Sequence, residues 1–181
     1  DMAAGVVRAP LAVADELRNI PGIRELEARV SGVGLLDLAG RQEPVSALMV
    51  SLPPDRAPRV NRIVLRAGRL LDATHPGEIL INEAFAEANR IPVGATLGAI
   101  VYGKRREVRV VGIASSPEFV FAVAPGAMLP EPERFGVVWM DRESLARAFD
   151  RDGAFNEVVM RLTPGASFQA VASQVDHLLA R

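Results

Sequence analysis

Gly77-Glu-Ile-Leu-Ile-Asn-Glu83 and, shortly downstream, Ile91-Pro-Val-Gly-Ala-Thr-Leu97 decide how this chain is read. The run from Glu78 to Ile81 has the length and apolarity of a buried strand. Asn82 has a side chain suited to cap a helix, and Glu83 falls where a helix N-terminus favours negative charge. A helix is therefore predicted over residues 83–90, ended by Pro92-Val-Gly94. Two strands follow, Thr96 to Tyr102 and Glu107 to Ala114, joined as a hairpin through the polar tip Gly103-Lys104-Arg105.

Upstream, Leu11, Ala14, Leu17 and Ile20 recur at helical spacing behind Pro10, which predicts a short helix over residues 10–19, stopped by Pro21-Gly22. Leu26, Ala28 and Val30 alternate with charged residues, so residues 23–38 read as one long strand or a pair bent at Gly32 and Gly34. Val45 to Leu52 reads as its hairpin partner. Pro53-Pro54-Asp55 and Pro58 mark a break. Downstream, residues 136–140 and Glu157 to Leu162 read as strands. Asp141 caps a helix over residues 142–149, and Phe168, Val171, Val175 and Leu178 form an apolar stripe on a last helix over residues 166–180. The expected fold class is α+β. One subdomain, an α/β sandwich, comes from both chain ends (residues 1–58 and 141–181), and residues 59–140 form an inserted β-rich subdomain.

Composition narrows the function. The 181 residues carry 21 Lys+Arg against 22 Asp+Glu, a formal charge of −1, and no cysteine. Balanced charge argues against a nucleic-acid partner. Without cysteine there is no disulfide, thiolate metal site or thiol nucleophile. Lys104 is the only lysine, a bias that genome composition explains. The uncharged stretches 91–103 and 119–130 are interrupted by Pro and Gly and fall short of the roughly 18 apolar residues of a spanning helix. Asp1 is not an initiator Met, so the chain reads as a segment of a longer protein.

Motifs with chemistry are sparse. Gly32-Val33-Gly34 fails as a dinucleotide fingerprint at Asp37 and is followed by a strand pattern. Asp72, His75 and Glu78 could be imagined around a metal, yet they lie in a Pro/Gly turn with no second His, and a solvated loop is the reading adopted. Asp150-Arg-Asp152-Gly153 lacks the spacing of a calcium loop. Ser115-Ser116 has no nucleophile elbow around it. No catalytic, cofactor-binding or metal site is expected, and no cofactor. Arg56, Arg59, Arg62, Arg66 and Arg69 concentrate positive charge, which reads as a solvated face or as a contact for lipid head groups. The apolar segment 119–129 is the candidate contact: Phe119, Val120, Phe121, Met128 and Leu129 either fill the core or expose a patch to a partner or lipid.

The order of these segments resembles the extracytoplasmic domain of MacB/FtsX/LolC-type ABC transporter permeases. The resemblance rests on Arg8-Ala-Pro10, Ile20-Pro-Gly-Ile23, Gly68-Arg69, the two motifs quoted first, Val108-Arg-Val-Val-Gly-Ile113, Ser116-Pro-Glu-Phe119, Phe135-Gly-Val-Val-Trp-Met140 and Gly153-Ala-Phe-Asn-Glu157. It implies a porter-like subdomain with a β-rich insertion, held by transmembrane helices of the same permease outside the bacterial cytoplasmic membrane. It further implies a dimeric transporter, driven by a separate cytoplasmic ATPase subunit. Such a domain is not an enzyme; it passes conformational change to a periplasmic adaptor or to a lipid or lipoprotein cargo. The competing expectation is a stand-alone α+β enzyme or small-molecule-binding protein, with segment 119–129 as a pocket wall and His75 converging on carboxylates.

Overall fold

The computed structural model describes residues 1–53 and 57–180. Its elements are β1 (Met2–Pro10), α1 (Leu11–Arg18), β2 (Ile23–Arg29), β3 (Ser31–Asp37), β4 (Val45–Leu52), β5 (Val64–Gly68), β6 (Glu78–Asn82) and α2 (Glu83–Asn89). They continue with β7 (Thr96–Val101), β8 (Lys104–Ser115), a 3-10 turn (Pro117–Phe119), β9 (Phe135–Asp141), α3 (Arg142–Ala148), β10 (Ala154–Leu162) and α4 (Phe168–Leu179).

The strands form two sheets. The smaller has the order β1-β10-β2, all antiparallel. Its apolar face packs against α1 and α4, burying Leu17, Leu26, Phe155, Met160, Val171 and Val175 in one cluster. This layer is built from both chain ends, and the mixed helix-and-sheet class agrees with the sequence reading.

The larger sheet has seven strands in the order β5-β8-β6-β9-β4-β3-β7. It also curls, because β7 pairs with β3 on one side and with β8 on the other. The strands β8-β6-β9-β4-β3-β7 thus close a ring, with β5 added outside on β8. The period-2 alternation of strand side chains sorts the apolar residues onto two sides of that ring. Leu36, Met49, Ile81, Val101, Val110 and Val138 belong to one cluster fed by every strand of the ring, which is its interior; Phe85 of α2 and Leu145 of α3 join it. The intervening residues Val50, Leu80, Val137 and Trp139 form a second cluster on the outside. Ile63, Leu71 and Ala122 from connecting segments and Phe119 from the 3-10 turn pack over that outer cluster.

β3, β4 and α3 lie with the large sheet, so sheet membership changes at Val30 and again between α3 and β10. The reason is pairing: β4 runs parallel to β9 along its length, a long-range partnership that a hairpin pattern does not reveal. The bend in 23–38 falls at Val30, not at the glycines. Gly32 and Gly34 instead make room, since a Cβ at either would overlap Phe149 or Met49. The β7–β8 turn is only Tyr102-Gly103, both with positive φ (48° and 75°), the signature of a tight two-residue hairpin. Lys104 and Arg105 are already in β8. Asn82 precedes α2, but its side chain accepts from Val137 N–H of β9 at 2.8 Å and leaves the helix uncapped. Strands β1 and β5 carry no clear alternation and escaped the sequence reading.

Candidate functional site

Segment 119–129 splits in two. Ser116 begins the 3-10 turn, its Oγ accepting from Glu118 N–H at 3.3 Å. Phe119 is half-buried and tilts against Trp139, ring centroids 6.2 Å apart. Ala122 packs on the same outer cluster. Beyond this anchor the side chains face solvent: Phe121 is 77 % exposed, Leu129 72 % and Met128 95 %. Val120 is exposed as well. Four of the five candidate residues therefore lie outside, and Phe119 is the one that ties them to the sheet.

The anchor is also held electrostatically, by a group the sequence reading missed. Arg29 ends β2 with its side chain 10 % exposed. It donates from Nη1 to Glu118 Oε2 at 2.9 Å and forms a second, shorter bond to Glu118 Oε1. Its Nε donates to Glu157 Oε2 of β10 at 2.6 Å. Asn61 Nδ2 donates to Glu118 Oε2 at 2.9 Å. Burial alone pulls the Arg29 pKa down, but the hydrogen bonds to Glu118 and Glu157 outweigh it, so the guanidinium is held in its charged form. One planar cation thus bridges the small sheet and the base of the exposed loop. Only contact across 89 and 128 residues of chain creates it, and no short-range pattern announces it.

The same junction is stitched by reciprocal bonds. Asn156 Oδ1 accepts from Ser31 N–H at 2.8 Å while its Nδ2 donates to the Ser31 carbonyl, also at 2.8 Å. Ser51 Oγ accepts from Val30 N–H, and Ser51 N–H donates to the Val30 carbonyl, each at 2.9 Å. The backbone that leaves one sheet for the other therefore has its polar groups satisfied by side chains.

The remaining sequence candidates are placed elsewhere. Arg66 pairs with Glu83 at 3.4 Å, and Arg69 forms a two-pronged pair with Glu78. Two of the five arginines are thus spent on carboxylates, and Arg56 lies outside the described residues. Asp72 accepts from Thr74 Oγ1 at 2.6 Å and Thr74 N–H at 2.9 Å, and contacts His75 Nδ1 at 3.0 Å. Those bonds, from Thr74 first, hold the Asp72 carboxyl down at about 2. Its folded pKa lies below its ordinary value of 3.8, so its stabilising effect is present above that value and is lost as pH falls through about 2. A carbon-detected NMR titration should find the Asp72 midpoint near 2; a midpoint at the ordinary value would mean the turn is open in solution. Among the described residues no three His, Asp or Glu side chains gather as metal ligands, and no helix is long and apolar enough to cross a membrane.

A family model described as the MacB-like periplasmic core domain matches residues 4–178. The chain belongs to that family. It is thus an extracytoplasmic domain of the MacB-like ABC transporter permease type. Solved structures agree in fold. The extracellular domain of the ABC-type transporter YknZ from Gram-positive bacteria superposes with a TM-score of 0.63 at 13 % identity, over 95 % of this chain and 82 % of that one. The periplasmic region of MacB from Actinobacillus actinomycetemcomitans gives 0.59 at 14 % identity, over 94 % and 72 %. No curated protein matches by sequence. At such identities the shared property is the arrangement of strands and helices in this periplasmic core domain, not its individual contact residues.

Proposed function

We propose that this periplasmic core domain is a non-catalytic mechanical module. It passes conformational change, driven by a cytoplasmic ATPase through the transmembrane helices of its permease, to a partner protein docked on the loop at Val120, Phe121, Met128 and Leu129. The observation that carries the reading is the Arg29 bridge. The small sheet is made of both chain ends, where the permease helices would attach, and Arg29 joins it directly to the root of the exposed apolar loop. A displacement of the small sheet therefore moves the loop. In this reading the two sheets act as two subdomains, and the transporter works as a dimer.

Charge favours a protein over an anionic lipid surface as occupant. No Lys or Arg occurs between Arg109 and Arg134, whereas Glu131 and Glu133 follow the loop and Glu118 before it is neutralised by Arg29. An anionic membrane would be repelled; the apolar face of a periplasmic adaptor or of a lipoprotein cargo would not. The stand-alone enzyme or binding-protein reading has less support. The cleft at the open end of the ring is lined by neither segment 119–129 nor His75.

The test uses the full permease with its ATPase. Phe121→Ser with Met128→Ser should leave the melt of the domain unchanged within about 0.5 kcal/mol, as for surface substitutions. Transport, or capture of the periplasmic partner, should fall at least tenfold. Full transport by the double variant would rule out the loop as the docking element.

A further inference from the structure

The strand ring is open at one end, between the β7–β8 hairpin and α3. Small barrels normally fill their interior with side chains. Here Ala99 of β7 and Ala148 of α3 are too short to do so, and a cleft of about 240 Å³ leads inward to Met49, Val101, Met140 and Leu145. Those four are all buried members of the interior cluster. The walls are therefore the barrel core itself, distinct from the outer face that carries the 120–129 loop.

The mouth of this cleft is cationic for a topological reason. On β8 the inward-facing residues alternate, and Val108 and Val110 are in the interior cluster. Continued toward the hairpin, the same row reads Arg106 and Lys104, which places the chain's single lysine and an arginine at the rim. Arg147 of α3 completes the rim from the other side. None of the three has an ion-pair partner among the described residues, whereas neighbouring Arg105, on the outward row, is paired with Asp37 at 3.0 Å. Glu107, the one carboxylate along the cleft, belongs to the outward row. Unpaired cations at the rim of a cleft with a largely apolar floor match a molecule with one anionic end and one short apolar end.

We propose that the barrel mouth is a binding site for a small anionic amphiphile. Its head group sits on Lys104, Arg106 and Arg147, and its unbranched tail enters between Ala99, Met140 and Leu145. A liquid water occupies about 30 Å³, so the cleft admits on the order of eight heavy atoms. A medium-chain fatty carboxylate is the matching size. The site is independent of the docking loop and does not rest on that reading.

Octanoate is the probe, titrated into the 181-residue chain and followed through backbone amide NMR signals. The expected result is saturable shifts confined to residues 98–108 and 144–148, with 1-octanol and acetate each at least tenfold weaker. Arg106→Gln with Arg147→Gln, two exposed positions, should weaken octanoate about tenfold or more without altering the melt. Ala99→Leu should fill the slot and abolish binding; if that variant does not fold, the arginine pair decides alone. No saturation at millimolar octanoate, shifts scattered over the surface, equal binding of octanol, or unchanged affinity in the arginine variant would each overturn the proposal.

Discussion

Replacing Arg29 with alanine should lower the stability of the domain by about 3 kcal/mol. Removing one member of a buried ion pair typically costs about 3–5 kcal/mol, because the other charge stays behind unpaired. Here two carboxylates stay behind, facing each other across the vacated space. They are 21 % and 24 % exposed, so water relieves part of the cost and the lower end of the range applies. For a chain of this size that is a fall in melting temperature of roughly 6–12 °C. The compensated variant Arg29→Met with Glu118→Gln and Glu157→Gln should recover most of the loss, since a neutral, well-packed replacement of a buried pair is often tolerated. If Arg29→Ala costs under about 1 kcal/mol, the bridge is solvated in solution and cannot couple the small sheet to the loop. The stability variant and the transport assay together then separate two ideas. A compensated protein that melts normally but transports poorly supports Arg29 as a mechanical link. One that transports normally limits it to a structural role.

Trp139→Ala should cost about 3–5 kcal/mol, the usual range for truncating a large buried aromatic. Trp139 is 2 % exposed and sits in the outer cluster, under connecting segments and the 3-10 turn. A cavity there has little rigid structure above it, so the covering segments should loosen with it. The contact with Phe119 gives a sharper readout. A double-mutant cycle of Trp139→Ala and Phe119→Ser should show a coupling of about 0.5–1.5 kcal/mol, the increment of an aromatic pair. Limited proteolysis within residues 120–130 should accelerate in either single variant, because both release the root of the loop. Equal cleavage rates in wild type and variants would show that the loop is not anchored through this pair. Phe119 and Phe121, which look alike in the sequence, should thus behave oppositely: serine at the first lowers stability, while serine at the second does not.

Much of the local structure was legible. α1, α3 and α4 follow from the 3.6-residue recurrence of apolar residues, and the α3 cap from Asp141, whose Oδ1 accepts from Ser144 N–H at 3.1 Å. Strands β4, β6, β7 and β9 follow from short apolar runs between turn residues. β1 and β5 were not legible. β1 reads Met-Ala-Ala-Gly-Val-Val-Arg-Ala-Pro, without alternation, and β5 is exposed along its whole length. Their strand character comes from a neighbour's unpaired backbone groups, not from their own side chains.

For the candidate site, composition singled out segment 119–129 as unusual, because apolar residues without a period have no place on a regular element. It could not say which of them face outward. That depends on Trp139 lying beneath Phe119, twenty residues away in sequence. Nor could it find Arg29, which in sequence is one more charge in an alternating strand.

The sequence by itself determined the type of most elements, the mixed α+β class and the aperiodic apolar stretch, because these depend on interactions within a few residues. The tertiary structure alone decided that β4 pairs with β9, that β7 closes the ring on β8, and that Arg29 meets Glu118 and Glu157. Each joins groups far apart along the chain. Closing such distances is an entropic cost shared by the whole fold, and no local pattern encodes which partner repays it.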